Sequence, residues 1–507
     1  MSTEMIPEPK NTLDNPARRV MLKGGAGAAA ALGLLQMSPA AFASTQREVP
    51  AFASWKRVED LIIHSANTME TVRGAIRSGV VTPARTLFVR NNLPSPDASI
   101  TANPDVWEVS FEGVKNPRTL TVADLKAMGS TTVASVLQCS GNGRAFFPHK
   151  AAGTQWSVGA AGCVLWTGVP LKTVIESLGG SVSGMRYITG TGGEEIPAGI
   201  DPKTVMVERS VPLKAMESAI LAWEMNDQPL DVTHGGPLRL VVPGYYGVNN
   251  VKYVKRVAMT ENQTDAKIQA SGYRVREVGA KGSPDQPSMW EMNVKSWITM
   301  PLEQARAGDN LIYGVAFGGV TSIDKVEVSM DDGKTWEMAQ LVGPDLGPYA
   351  WRPFVFKANL KPGENRIVSR ATDVNGNTNS ATATVTVEEN IAPTVVTQDV
   401  TMELDATGTA TITTDTIDNG SYDNCAIASM SLDATSFDCS NVGENVVELT
   451  VTDVNGNQNI CWLTVVPEEK ARPFCFAPAN TDVDCDELPH GFDPFDTDEL
   501  AGLFGSP

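Results

Sequence analysis

Cysteine is scarce in this chain of 507 residues: there are seven, too few for a fold held together by disulfides. Glycine and proline are also too few for a collagen-like or wholly disordered chain. An excess of positive charge is missing. The formal net charge is −19, which excludes an ordinary nucleic-acid binder, because neutralising phosphates needs clustered Lys and Arg. After residue 43 no stretch has the length and apolarity of a membrane span.

What is present is unevenly spread. Residues 391–507 hold 21 acidic residues against only Lys470 and Arg472, so the whole net charge sits there and residues 1–390 are balanced. The acidity therefore belongs to a C-terminal appendage. The N-terminus reads as an address. Arg18-Arg19-Val20-Met21-Leu22-Lys23 precedes an apolar run from Gly24 to Met37, and Ala41-Phe42-Ala43 offers small residues for cleavage. The paired arginines resemble a twin-arginine signal, which exports folded proteins. The expectation is a soluble periplasmic protein with a cofactor inserted before export; the alternative is an ordinary secretory signal or anchor.

Four further segments follow. Residues 44–275 alternate strand-like and helix-like runs, the mark of an α+β domain. Val106–Phe111 and Val133–Leu137 read as strands, Thr121–Asp124 as a helix start, and Leu171–Leu178 and Ala215–Met225 as helices. Residues 276–388 read as an Ig-like β-sandwich, with a hairpin signal at Asp331-Asp332-Gly333. Residues 389–467 form a second all-β unit, and 468–507 an acidic tail. The run Ala371–Asn377 is echoed by Thr450–Asn457, both ending Thr-Asp-Val-Asn-Gly-Asn.

The chemistry centres on Cys139. It ends an apolar strand, enters Ser140-Gly141-Asn142-Gly143, and has Arg144 five residues on. A nearby cation favours the thiolate, a soft ligand for transition metals. From the residues alone, a small buried apolar side chain is the favoured reading.

The wider pattern adds to this. Leu137–Arg144 resembles the molybdenum-ligand loop of the sulfite oxidase family of molybdopterin enzymes. Phe88-Val89-Arg90-Asn91-Asn92-Leu93-Pro94-Ser95-Pro96, Trp166–Leu171, His234–Arg239 and Val241–Lys252 resemble further segments of that family, in order, from about residue 80 to 385. The resemblance implies roles. Cys139 is the metal ligand. Arg90, Arg144, Trp156 and Tyr273 line the oxyanion pocket. Asn92, His234, Arg239 and Lys252 contact the pterin or its phosphate. A small divalent anion needs fixed guanidiniums to offset its desolvation, so these residue types suit the task. Asn92 stands where relatives usually carry His, and Asn249-Asn250 where an Arg is often found.

The resemblance also implies oxidation of sulfite to sulfate at a molybdenum–molybdopterin centre. Neither a Cys-x-x-Cys-His haem site nor a His-Pro-Gly-Gly motif is present. The expected electron acceptor is therefore external, such as a periplasmic c-type cytochrome. The sandwich at 276–388 resembles the family's dimerisation domain, implying a homodimer. Residues 389–467 resemble hyalin-repeat-like modules. There the Asp/Asn clusters around Asp418–Cys425 and Thr450–Asn457 offer a calcium site or simply a solvated face. The pairing of Cys425, Cys439, Cys461, Cys475 and Cys485 stays open. The alternatives are a related enzyme acting on another small oxyanion or a sulfoxide, or a non-catalytic secreted interaction protein.

Overall fold

The computed structural model describes residues 49–302, 305–387, 390–470 and 498. The N-terminal address and nearly all of the acidic tail, with Cys475 and Cys485, lie outside the described residues. Among those described, no helix is long and apolar enough to cross a membrane.

The first domain is two five-stranded sheets closed over one core. One sheet orders strands Arg118–Thr121, Glu108–Glu112, Val254–Thr260, Tyr187–Gly192 and Glu208–Pro212. The other orders Gln228–Pro229, Ile220–Met225, Ala161–Pro170 and Thr131–Gln138, with Arg239–Val241 also on Ile220–Met225. The alternation in Glu108–Glu112 buries Val109 and Phe111. These meet Val257, Ile188, Leu221 and Leu240, and the helix Leu171–Ser177 adds Leu171 and Val174. Thr121 caps the helix Val122–Ala127 reciprocally with Asp124, satisfying two orphan donors of its first turn. A small third sheet pairs Leu61–Ser65, Thr68–Thr71 and Val89–Arg90.

One expectation fails here. Ala215–Met225 is not a helix: Leu213–Glu217 is a short 3-10 turn and Ile220–Met225 is a strand. Leu221 pairs with Val169 on one side and Leu240 on the other, and successive side chains of Ile220–Met225 are buried at every position but Glu224, so both faces of this central strand are covered. Such a strand loses its period-2 signal and imitates a buried helix.

The next unit is a sandwich of two four-stranded sheets around Ile312, Val326, Phe354, Ile367 and Val385. Its expected hairpin forms: Val328 pairs with Glu337, and Asp331 closes the turn by accepting from Thr335 N at 2.9 Å. The C-terminal unit is also all-β, built on Val447, Leu449, Val451 and Val465.

The sequence echo is one device used twice. Asp373 accepts Asn375 N at 3.0 Å, Asn377 N at 2.8 Å and Asn377 Nδ2 at 3.0 Å. Asp453 accepts Asn455 N and Asn457 N at 2.8 Å and Asn457 Nδ2 at 2.7 Å. Each carboxylate closes a hairpin turn from inside. Asp418 is engaged in the same manner, accepting Ser421 N at 3.0 Å. Among the described residues no group of three or more His, Cys, Asp or Glu is placed to hold a metal ion. Cys425, Cys439 and Cys461 are free thiols.

Candidate active site

The strand Thr131–Gln138 leaves the sheet at Cys139. Side chains alternate along it: Ala134 and Val136 face the sandwich, while Leu137 and Cys139 face the layer of Trp156, Trp166 and Phe88. Cys139 N donates to Ala160 O at 2.9 Å, and Asn142 N returns to Cys139 O at 3.0 Å. Gly143 then takes φ +89°, in the left-handed region, and turns the chain toward Arg144. The Arg144 guanidinium lies between Gly141 and Gly153: a Cβ at either would fall 2.6 or 2.5 Å from it. Both glycines are there to admit it. Arg144 Nη1 donates to Thr154 O at 2.8 Å.

Cys139 opens into a partly enclosed cavity. Arg90, Asn92, Tyr273, His234, Arg239 and Lys252 line it with Cys139, so distant segments of the chain converge there. Arg144 and Trp156 do not line it. Trp156 is buried one layer back, edge-on to Phe88 of the wall at 6.3 Å between ring centroids. Asn92 donates its amide to Val205 O at 2.9 Å.

The wall is cationic and tightly held. Arg239 donates to His234 O at 2.7 Å and to Asn250 O at 3.2 Å. Lys252 donates to Asn91 Oδ1 and to Thr233 O, both at 2.6 Å. Lys56, carried by no recognisable motif, donates to Ala84 O at 2.5 Å and Leu87 O at 2.7 Å, and sits 2.7 Å from His234 Nε2. Where Lys56 carries its proton, Nε2 accepts from it. Burial, then the charges of Lys56, Lys252 and Arg239, hold His234 well below its ordinary range. Burial pushes Lys56 down to about 7 and also lowers Lys252. Glu194 is a wall residue that sequence reading missed. Burial raises its carboxyl to about 7, against the pull of Lys252. Its one sequence signal is the Gly192-Gly193 turn before it.

The expected bias of Cys139 toward thiolate is corrected. Burial raises the thiol's pKa, and a backbone hydrogen bond at Gly141 with the charges of Arg90 and Arg144 only partly offsets this. A bound metal ion would supply the missing driving force for deprotonation. Cys163, by contrast, sits in the strand Ala161–Pro170 and is pushed to about 12 by burial.

The residues present fit a phosphate-bearing cofactor with a soft metal. Asn91 Nδ2 and Ser140 Oγ, both on wall residues, are buried without partners, as are both amide atoms of Gln138 beside Cys139. Unsatisfied buried polar atoms are costly unless a ligand meets them. A thiol is a soft metal donor, and fixed Lys and Arg donors suit phosphate.

Comparison with known proteins agrees. An oxidoreductase molybdopterin binding domain matches residues 94–268, and a Mo-co oxidoreductase dimerisation domain matches 286–393. Mitochondrial sulfite oxidase of Drosophila melanogaster is 30% identical over 329 residues, 59% of this chain and 55% of that protein. The human enzyme is 31% identical over 319 residues, 58% of this chain and 56% of its own. The chain thus spans about half the length of these relatives. The sulfane dehydrogenase SoxCD from Paracoccus pantotrophus superposes with a TM-score of 0.54 at 26% identity, covering 68% of this chain and 86% of that one. With both domains matched, and the cavity lined entirely by residues between 88 and 273, this chain belongs to the sulfite oxidase family of molybdopterin oxidoreductases.

Proposed function

We propose that the protein oxidises sulfite to sulfate at a mononuclear molybdenum–molybdopterin centre and passes two electrons, one at a time, to an external acceptor such as a c-type cytochrome. Export through the twin-arginine route and a homodimer built on residues 276–388 complete the reading. The observation that carries it is the convergence of the Cys139 thiol with Arg90, His234, Arg239 and Lys252 on one cavity.

When bound, the cofactor supplies the two-electron redox chemistry. The chain supplies the rest. Cys139 holds the metal, and His234, Arg239 and Lys252 hold the pterin and its phosphate. Arg90 binds the sulfite dianion directly. Arg144 acts through its charge from behind Gly141 and Gly153, favouring the ionised forms of Cys139 and Tyr273. Burial keeps the Tyr273 phenol protonated, so it can donate a hydrogen bond to an anion's oxygen. The balance is sulfite plus water giving sulfate, two protons and two electrons. The immobile donors reduce the reorganisation needed as charge shifts.

The test is sulfite-dependent reduction of ferricyanide by the molybdenum-loaded protein, beside Cys139→Ser. Activity lost in the variant supports both the reaction and the ligand. A molybdenum-loaded wild type that ignores sulfite refutes the assignment and directs attention to sulfoxides and other oxyanions.

A further inference from the structure

Glu70 is buried to 1% exposure on the strand Thr68–Thr71, every residue of which is buried. Its Oε1 accepts from Ser157 N at 2.8 Å, Ser157 Oγ at 2.5 Å and Gly159 N at 3.0 Å. Its Oε2 lies 2.7 Å from His64 Nε2 on the neighbouring strand, and the His64 ring stands edge-on to Trp156 with centroids 5.1 Å apart. Thr71 N also donates to Gly159 O at 3.2 Å. Strand and segment come so close that a Cβ on Gly159 would fall 1.7 Å from Thr71 O.

The far side of the same segment grips the Cys139 loop. Gly143 N donates to Ser157 O at 2.5 Å, Ala145 N to Trp156 O at 3.0 Å, Cys139 N to Ala160 O at 2.9 Å, and Ala160 N to Asn142 Oδ1 at 3.0 Å. The Glu70 strand also carries the Arg90 strand, with Thr68 opposite Arg90 and Met69 opposite Val89. One carboxylate therefore joins the three pieces of backbone that bear Arg90, Trp156 and Cys139.

We propose that Glu70, steadied by His64, is a positioning residue of the oxyanion pocket: it fixes Trp156 and the Cys139 loop relative to Arg90. The proposal rests on the sulfite oxidase reading for its kinetic arm only. A buried carboxylate beside an anion site opposes anion binding by charge, so its presence there follows from its four contacts. A glutamine keeps the acceptor for the Ser157 and Gly159 donors, whereas alanine removes it.

The experiment compares Glu70→Ala and Glu70→Gln as full-length, cofactor-loaded proteins. In Glu70→Ala, KM for sulfite should rise roughly tenfold or more, with a smaller change in kcat, since small misplacements of a positioned group cost this much. The visible absorption band of the metal-bound thiolate should shift as well. Glu70→Gln should restore both toward wild type. Wild-type KM and band in a loaded Glu70→Ala would overturn the proposal, as would equal damage from the two variants. If Glu70→Ala does not take up cofactor, Ser157→Ala and His64→Phe each remove one contact. A partial shift of the band supports the role and an unchanged band refutes it. Should wild type not oxidise sulfite, the band still tests Glu70 separately.

Discussion

Lys56 gives the most direct physical test of the cavity. Its ammonium is buried, and that burial lowers its pKa to about 7, from an ordinary value of about 10.4. Between those values the unfolded chain holds a proton that the folded chain has released. Stability therefore rises with pH across this window. The penalty is fully felt below pH 7 and relieved as pH climbs. From pH 7 to 9 the relief is about 2 kcal/mol. Lys56→Met keeps much of the stem's packing and removes the titration. It also leaves the carbonyls of Ala84 and Leu87 without this donor, a loss that does not depend on pH. Urea unfolding at 25 °C of cofactor-free wild type and variant, at pH 7, 8 and 9, should show the wild type gaining about 2 kcal/mol on the variant over the series. Parallel pH profiles would refute the claim that Lys56 is buried as a strained ammonium.

Other outcomes follow from the packing. Cys163→Ala should leave molybdenum content unchanged and cost about 1–2 kcal/mol in a melt, because its thiol is a buried filler between sheet and sandwich. Gly159→Ala should cost about 2 kcal/mol or more, since its Cβ would meet the Thr71 carbonyl of a fully buried strand. Asp453→Ala should destabilise the C-terminal sandwich by about 2–3 kcal/mol, because three N–H donors lose one charged acceptor. That loss can be read as an earlier separate transition in urea unfolding followed by far-UV circular dichroism.

The sequence carried the ordered motifs well, because they are local. Leu137–Arg144, His234–Arg239 and Val241–Lys252 each announce a turn or strand end, and their side chains meet on one cavity. Contacts made by lone residues were silent. Lys56 sits beside an ordinary tryptophan, and Glu70 in a short strand, with partners 178 and 87 residues away respectively. No local pattern encodes such pairings. The misread Ala215–Met225 failed for another reason: burial on both faces of Ile220–Met225 erased the alternation that marks a strand. Arg144 and Trp156 were placed on the pocket wall by resemblance, and only three-dimensional packing puts a glycine pair in front of one and Phe88 beside the other.

The twin aspartate-closed turns bear on the order in which the chain folds. Each joins the last two strands of its sandwich, Gly363–Asp373 with Thr378–Val387 and Asn445–Asp453 with Gln458–Glu468. Hairpins close fast because little loop entropy is lost, while distant strand pairings wait. Each sandwich thus gains a fast-closing, locally paired element at the very end of its own segment, after its earlier strands have been made. The Asp–Asn clasp lets that last piece pair with itself without waiting for distant partners, so it is ready to dock on the strands already present.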